Sequence, residues 1–460
     1  MLPSLSLLDQ PAADARTLHL VAAGAWTAFL ADQPERTRKA AAASSFKAQP
    51  GKLFLLSGAD CGVDGAVLGM GERPSPMLLG AAAAHLPQGA WKLAPPPPPG
   101  LDPTALAIAW ALGGYAFTEF KARSRPGPLL NPPEGADMAE ARRVAAAVYL
   151  VRDLINRPAN VLGPAALQAE AEALGARYSA QTEAIVGEAL LCGNFPLIHA
   201  VGRAGGEPPR LVRLRWGETG PRVTLVGKGV CFDSGGLNLK SGSSMGLMKK
   251  DMGGAAHVLG LAQLVMDARL PLRLEVLIPI VENGVAAGAM RPGDILHSRK
   301  GLTVEIDNTD AEGRLILADA LALAGEDPPE LLLDLATLTG AARVALGAEL
   351  APFYTDDEAL AADLAAAAAA AHDPLWRMPL WDGYDADLDS PVADLSNAPG
   401  GGQAGSIHAA LFLRRFVSAK SWAHFDIYAW SPKERPAKPQ GGEATGLRAI
   451  WRLLRDRYGA

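Results

Sequence analysis

Three short segments place charged side chains inside otherwise apolar sequence. In the first, Asn308-Thr309-Asp310-Ala311-Glu312-Gly313-Arg314-Leu315, two carboxylates stand two residues apart. The segment lies between a strand expected at 303–306 and a helix expected at 315–324. In extended backbone, side chains two apart point the same way, so Asp310 and Glu312 would converge. Converging carboxylates repel unless a cation separates them; the alternative is a solvated surface pair. Against that alternative, both flanking elements are strongly apolar, where uncompensated charge is expensive. The second segment, 223–236, runs a buried strand into glycines and embeds Lys228 and Asp233 among hydrophobes. Its glycine spacing fits neither the dinucleotide nor the phosphate-loop pattern. A buried lysine–aspartate pair is the structural alternative. The third segment, Met248-Lys249-Lys250-Asp251-Met252-Gly253-Gly254, enters a helix of small residues at Ala255, where Asp251 alone would read as an ordinary N-cap.

Together the segments make a charge argument. Asp233, Asp251, Asp310 and Glu312 supply four negative charges, matching two divalent cations. Oxygen ligands suit Mg²⁺, Mn²⁺ or Zn²⁺. No histidine stands at ligand spacing, and His257 and His297 read as structural. Two adjacent ions can share a water, lower its pKa and polarise a substrate oxygen. The residues alone thus reach a carboxylate-rich metal site, with Lys228 open between ion-pair partner and ligand. They do not identify a substrate.

The elements around these segments alternate. Apolar β-rich runs at 211–214, 223–226, 274–278 and 331–335 are separated by helix-period stretches, the pattern of an α/β domain with a mostly parallel sheet between helix layers. An alanine-rich run at 361–371 is helical scaffold by propensity. The N-terminal third mixes a buried strand at 53–56 with helices at 26–31 and 104–117. The polyproline run at 95–99 reads as a stiff exposed connector. Proline and glycine cluster at 126–135, which predicts a domain boundary there, followed by a long amphipathic helix at 136–154. The division expected is an N-terminal α/β domain at 1–135, a linker helix at 136–157 and a catalytic domain at 158–460.

Composition narrows the function classes. At 460 residues, 49% hydrophobic and 20% charged, the chain suits a compact multidomain protein. No apolar run approaches the length of a membrane span, and the first residues lack a secretory signal pattern. The net charge of −6 gives no electrostatic case for nucleic acid. The one basic run, Arg36 to Lys39 with Lys47 and Lys52 beyond it, reads as solvated surface. Three scattered cysteines, Cys61, Cys192 and Cys231, fit packed thiols in a reducing, cytoplasmic setting rather than a disulfide framework.

The segment 308–315 resembles the signature of the leucine aminopeptidase (cytosol aminopeptidase) family. The stretches 226–236 and 248–255 resemble the same family's other ligand segments. Arg291-Pro292-Gly293-Asp294, Asp334 to Gly340, and Ala404-Gly405-Ser406-Ile407 also match, from about residue 140 to the C-terminus. The resemblance implies a smaller N-terminal α/β domain joined by a long helix to a catalytic domain. It also implies homohexamers acting on peptides. It makes Asp233 and Glu312 bridging ligands of two metals, manganese or zinc. Asp310 completes one site, partly through its carbonyl, and Lys228 and Asp251 complete the other. Lys228 would bind as the neutral amine, with Gly227 and Gly229 allowing close approach. Lys240 would stabilise the oxyanion, and Arg314 would clamp a bicarbonate serving as general base for the bridging water. The substrate's free amine would bind beside Asp251. Met248, Thr337 and Gly340 would line the pocket for the first side chain, with leucine and other apolar residues preferred. Asn308, Ala311 and Leu338 would lie near the departing residue. The alternative implied is a DNA-binding or scaffold role of the same hexameric fold. Two departures stand out: a short N-terminal region, and Tyr428 in His424-Phe425-Asp426-Ile427-Tyr428-Ala429-Trp430, where the family usually has Ala-Gly after Asp-Ile.

Overall fold

A computed structural model describes residues 5–58, 62–123 and 126–459. Two units divide the chain: Met1–Tyr149 with Ser431–Gln440, and Leu150–Trp430 with Gly441–Ala460. The smaller unit carries β1 (Arg16–Ala22), β2 (Leu53–Ser57), β3 (Val63–Gly71), β4 (Gly89–Leu93) and β5 (Pro128–Leu130) in the order β2-β3-β1-β4-β5. All neighbours are parallel except β2 and β3. β2 is an edge strand, so of its residues only Phe54 is buried, packing on Trp26 and Phe46. The fully buried strand expected at 53–56 is corrected accordingly. The helix expected at 104–117 is Pro103–Gly113, capped by Asp102 Oδ1 accepting from the Thr104 amide at 3.0 Å; the Gly113–Gly114 pair stops it early. The helix Trp26–Ala31 forms as expected, and the polyproline run is half-exposed to exposed.

The long helix is Met138–Asn156, shifted two residues from expectation because Asp137 Oδ1 accepts from the Glu140 amide and starts it. In the larger unit a mixed sheet joins β6 (Gln181–Val186), β7 (Arg210–Trp216), β8 (Arg222–Gly227), β9 (Gly229–Asp233) and β10 (Arg273–Asn283). A small sheet contains β11 (Ile295–His297) and β12 (Thr303–Glu305). The main sheet continues with β13 (Leu331–Ala336), β14 (Ala351–Tyr354) and β15 (Leu375–Arg377); β16 (Leu395–Ser396) belongs to the small sheet, and β17 (Trp422–Asp426) to the main one. The main order is β15-β14-β17-β13-β8-β10-β7-β6, with β9 also on β10. Its centre, β17-β13-β8-β10-β9, is parallel.

Alternation along β8 decides how its faces are covered. Val226 joins a core with Leu277, Leu332, Leu315 and Phe412, which the helices Glu312–Glu326 and Gly405–Arg414 complete. Gly227 faces the opposite side, where a Cβ would lie 2.5 Å from Val258 in the helix Gly253–Ala268. Helices therefore cover both faces, the mixed, mostly parallel α/β arrangement read from the alternating pattern. No helix is long and apolar enough to cross a membrane among the described residues. The basic run lies exposed on the helix Glu35–Ser44, with Lys39 and Glu35 paired at 2.8 Å. Cys231 is buried; Cys192 is exposed at the end of a four-residue helix, contrary to the packed thiol expected, and Cys61 lies outside the described residues.

Candidate metal centre and active site

Parallel strands end on the same side, and ligands of open α/β sheets bind beyond their carboxyl ends. Lys228 directly follows β8, Asp233 ends β9, Asn283 ends β10, Thr337 follows β13 and Asp426 ends β17. Topology thus brings together residues spread over two hundred positions of chain.

All five predicted ligands and Lys240 line one cavity of about 530 Å³, together with Met248, Thr337, Leu338 and Gly340. Carboxylate oxygens of Asp233, Asp310 and Glu312 all lie within 4.8 Å of one another. The Lys228 ammonium sits 2.7 Å from Asp251 and 2.9 Å from Glu312, and donates to the Thr337 carbonyl at 3.0 Å. Lys240 contacts Asp233 at 2.8 Å and pairs closely with Asp310. Two lysines thus thread four carboxylates. They do not satisfy all of them, since the buried Glu312 Oε2 has no donor.

The electrostatics show the same deficit. Burial and then the Asp233 charge push Glu312 up to about 8 and Asp310 up to about 6, against the neighbouring lysines. Burial presses Lys228 down, but Asp251, Glu312 and Asp233 more than reverse it, so it is held as an ammonium. The site as folded carries more negative charge than its lysines neutralise.

Three expectations about local geometry are corrected. Asp310 lies in a turn and Glu312 is the first residue of the helix Glu312–Glu326, so their convergence does not come from extended backbone. Asn308 Oδ1 accepts from the Asp310 amide at 2.8 Å, and Thr309 exchanges bonds with Asn238 and Gly235, which fixes the turn. Asp251 does not cap a helix. It lies in the 3₁₀ turn Met248–Met252 and accepts from Thr337 Oγ1 at 2.7 Å. Gly227 and Gly229 make room for Val258 and for the Pro279 carbonyl rather than for a ligand. The glycine that admits Lys228 is Gly313, where a Cβ would lie 2.7 Å from its Cε.

Arg314 is buried behind Glu312 and is not part of the cavity wall. Its Nη1 donates to the Asn397 carbonyl at 2.5 Å, while its buried Nε has no acceptor. Burial brings its guanidinium down to about 10. Asn308 and Ala311 also stay outside the wall, in the turn beneath it. His257 is buried, with Nδ1 2.6 Å from the Gly253 carbonyl, whereas His297 is exposed in β11.

Sequence reasoning missed the residues that hold these groups. Asn283 Nδ2 donates to Asp233 Oδ1 at 2.9 Å and to the Thr309 carbonyl at 3.1 Å. Asp426 accepts from the amides of Leu338 and Thr339, at 3.0 and 3.2 Å, and from Thr339 Oγ1, fixing the loop after β13. Asn397 bonds both the amide and the carbonyl of Asn308. The partners stand 26 to 89 residues away in sequence, so no local pattern signals them. A single available hint was a polar residue ending an apolar strand, as Asn283 and Asp426 do.

The model for the cytosol aminopeptidase family catalytic domain matches residues 149–451, and that for the M17 aminopeptidase N-terminal domain matches residues 17–132. The chain belongs to the cytosol aminopeptidase family. A probable cytosol aminopeptidase of Syntrophotalea carbinolica is 44% identical over 362 residues, 75% of this chain and 73% of that protein. One from Leifsonia xyli subsp. xyli is 39% identical over 447 residues, 90% of each. The crystal structure of cytosol aminopeptidase from Coxiella burnetii matches with a TM-score of 0.94 and 40% identity, covering 99% of this chain and 100% of that one. A bottromycin maturation enzyme in complex with Mn matches with a TM-score of 0.87 and 34% identity, covering 97% and 100%. Family membership makes the chain a metal-dependent exopeptidase acting on peptides, and the acidic cavity beyond the strand ends is its candidate active site.

Proposed function

We propose that the chain removes N-terminal residues from peptides using two divalent cations held by Asp233, Asp251, Asp310, Glu312 and Lys228, the last giving up its ammonium proton as the cations replace it between the carboxylates. The observation that carries this is the surplus of buried carboxylate, above all the Glu312 oxygen without a donor. Such a set fits cations better than it fits its own lysines, and the manganese of the bottromycin maturation enzyme makes Mn²⁺ the first choice, with Zn²⁺ second. Bound there, the cations supply Lewis-acid polarisation and an acidified water.

The chain's own side chains do the rest. Lys240, freed from Asp310, places its ammonium where the scissile carbonyl gains negative charge. Asp251, positioned by Thr337, receives the substrate's free amine, and this requirement restricts cleavage to the first residue. Arg314 would hold a bicarbonate general base: its Nε has no acceptor and its planar fork suits a trigonal anion, although it lies behind Glu312, so the anion would have to reach it past the cavity wall. Leu338 would border the departing residue, with Asn308 and Ala311 shaping that side from the turn outside the wall, and Met248, Thr337 and Gly340 would border the first side chain. The domain reading goes with it: residues 1–135 as N-terminal domain, 136–157 as linker helix and 158–460 as catalytic domain.

The test is a panel of aminoacyl p-nitroanilides. Chelation should abolish cleavage, Mn²⁺ or Zn²⁺ should restore it, and N-acetylated substrates should remain uncut. Full activity in excess chelator, with metal loss verified, would overturn the metal mechanism. Cleavage of acetylated peptides would overturn the amine site.

A further inference from the structure

One cation in the cavity forms no ion pair or hydrogen bond among the described residues. Lys228 and Lys240 each face two carboxylates, and Arg343 is engaged by Asp426, whose carbonyl accepts from it and whose carboxylate lies 3.9 Å away. Lys250 is different. Its residue is only 6% exposed, and its ammonium forms no hydrogen bond or ion pair among the described residues. It lies 5.0 Å from the centroid of the Tyr428 ring, and the Arg343 guanidinium lies 5.6 Å from the same ring. All three line the cavity beside Met248, Thr337 and Gly340. An aromatic face offsets only part of the cost of burying an ammonium, and a carboxylate is the partner that completes it.

We infer that the pocket for the first side chain accepts glutamate or aspartate, its carboxylate paired with Lys250 and flanked by Arg343. This rests on the aminopeptidase reading of the same cavity and departs from the apolar preference expected from the resemblance. Tyr428 is then the platform that holds both cations at the pocket wall. The buried arginine Nε of Arg343, which has no acceptor, adds a second unsatisfied donor at the same corner. Met248 and Leu338 remain to contact the methylene groups of the acidic side chain.

The test compares kcat/KM of the metal-loaded full chain for glutamyl and glutaminyl p-nitroanilides, and for aspartyl and asparaginyl ones. These pairs match in shape and differ in charge, and anilides lack a C-terminal carboxylate, so a preference reads the side chain. The wild-type chain should favour glutamyl over glutaminyl substrate by about tenfold or more. Lys250→Arg should retain most of that ratio, and Lys250→Met should bring it near unity. The ratio is taken within each variant, which cancels any general loss of turnover or folded protein. A wild-type ratio near unity while alanyl and leucyl anilides are cleaved overturns the acidic pocket alone, as does a ratio unchanged in Lys250→Met. Failure of the metal-loaded wild-type chain to cleave any anilide overturns the aminopeptidase reading and the acidic pocket with it.

Discussion

Lys240 and Gly313 separate what the site does from what holds it. Lys240 pairs with Asp233 and Asp310 but, on the proposed mechanism, serves the substrate oxygen. Lys240→Ala should lower kcat by about a hundredfold or more, the scale of losing an oxyanion donor, with two metals still bound per chain. An unchanged kcat, checked with metal content by mass spectrometry, would remove its assigned role. Gly313 acts only through space. An added Cβ meets Lys228 at 2.7 Å from Cε and 2.8 Å from Nζ, and the flexible lysine, not the helix, must give way. Gly313→Ala should therefore weaken metal affinity by about tenfold to a hundredfold, as disturbed positioning of a ligand does. Displacing Lys228 from Asp251 and Glu312 should also lower the apo protein's melting temperature, because disturbing a buried ion pair costs more than alanine's higher helix propensity returns. Equal metal affinity in calorimetric titration would show that Lys228 needs no such clearance.

The helix Gly253–Ala268 packs on β8 and β13 and carries a buried His257, near Asp373, Glu443 and the Thr445 backbone, which gives the fold a pH dependence. Burial holds His257 down to about 4, although the Gly253 carbonyl pulls the other way. The unfolded chain binds that proton near pH 6.5, so its stabilising contribution is complete above 6.5 and declines as pH falls toward 4. The loss approaches about 3 kcal/mol once the pH is well below 4. His257→Leu should shrink the difference in urea midpoint between pH 7 and pH 4.5; an undiminished difference would place the acid sensitivity elsewhere. The same elements show what the sequence could carry. Strands β8, β10 and β13 were legible because their apolar runs are local, and so was the gathering of carboxylates from Asp233 and from 308–315. The turn at Asp310 was not, because Asn238 and Asn397 hold it from distant loops. Nor was the role of Asp251, which depends on Thr337 arriving from another strand. Lys250 was read past because its meaning lies in having no partner, and only the packed cavity shows that.

At the scale of the whole molecule, the hexamer implied by the family resemblance, which we propose for this chain, makes demands on the surface that a monomer does not. In the larger unit Trp376, Trp381, Val344 and Val392 stand more than half exposed. Scattered apolar residues need no explanation, but two tryptophans within six positions represent a large apolar area left in water. Closed assemblies bury such area repeatedly through self-complementary contacts. The net charge of −6 per chain opposes assembly weakly and is spread over a large surface, so burial dominates at moderate salt. Light scattering coupled to size exclusion should give about 290 kDa, six times the 47.9 kDa chain, if the chain assembles as the hexamer the resemblance implies. The mass should persist on raising salt, because apolar contact is not screened. A 47.9 kDa species at micromolar concentration would sink the hexamer, and would leave those tryptophans to be explained as a surface for some other partner.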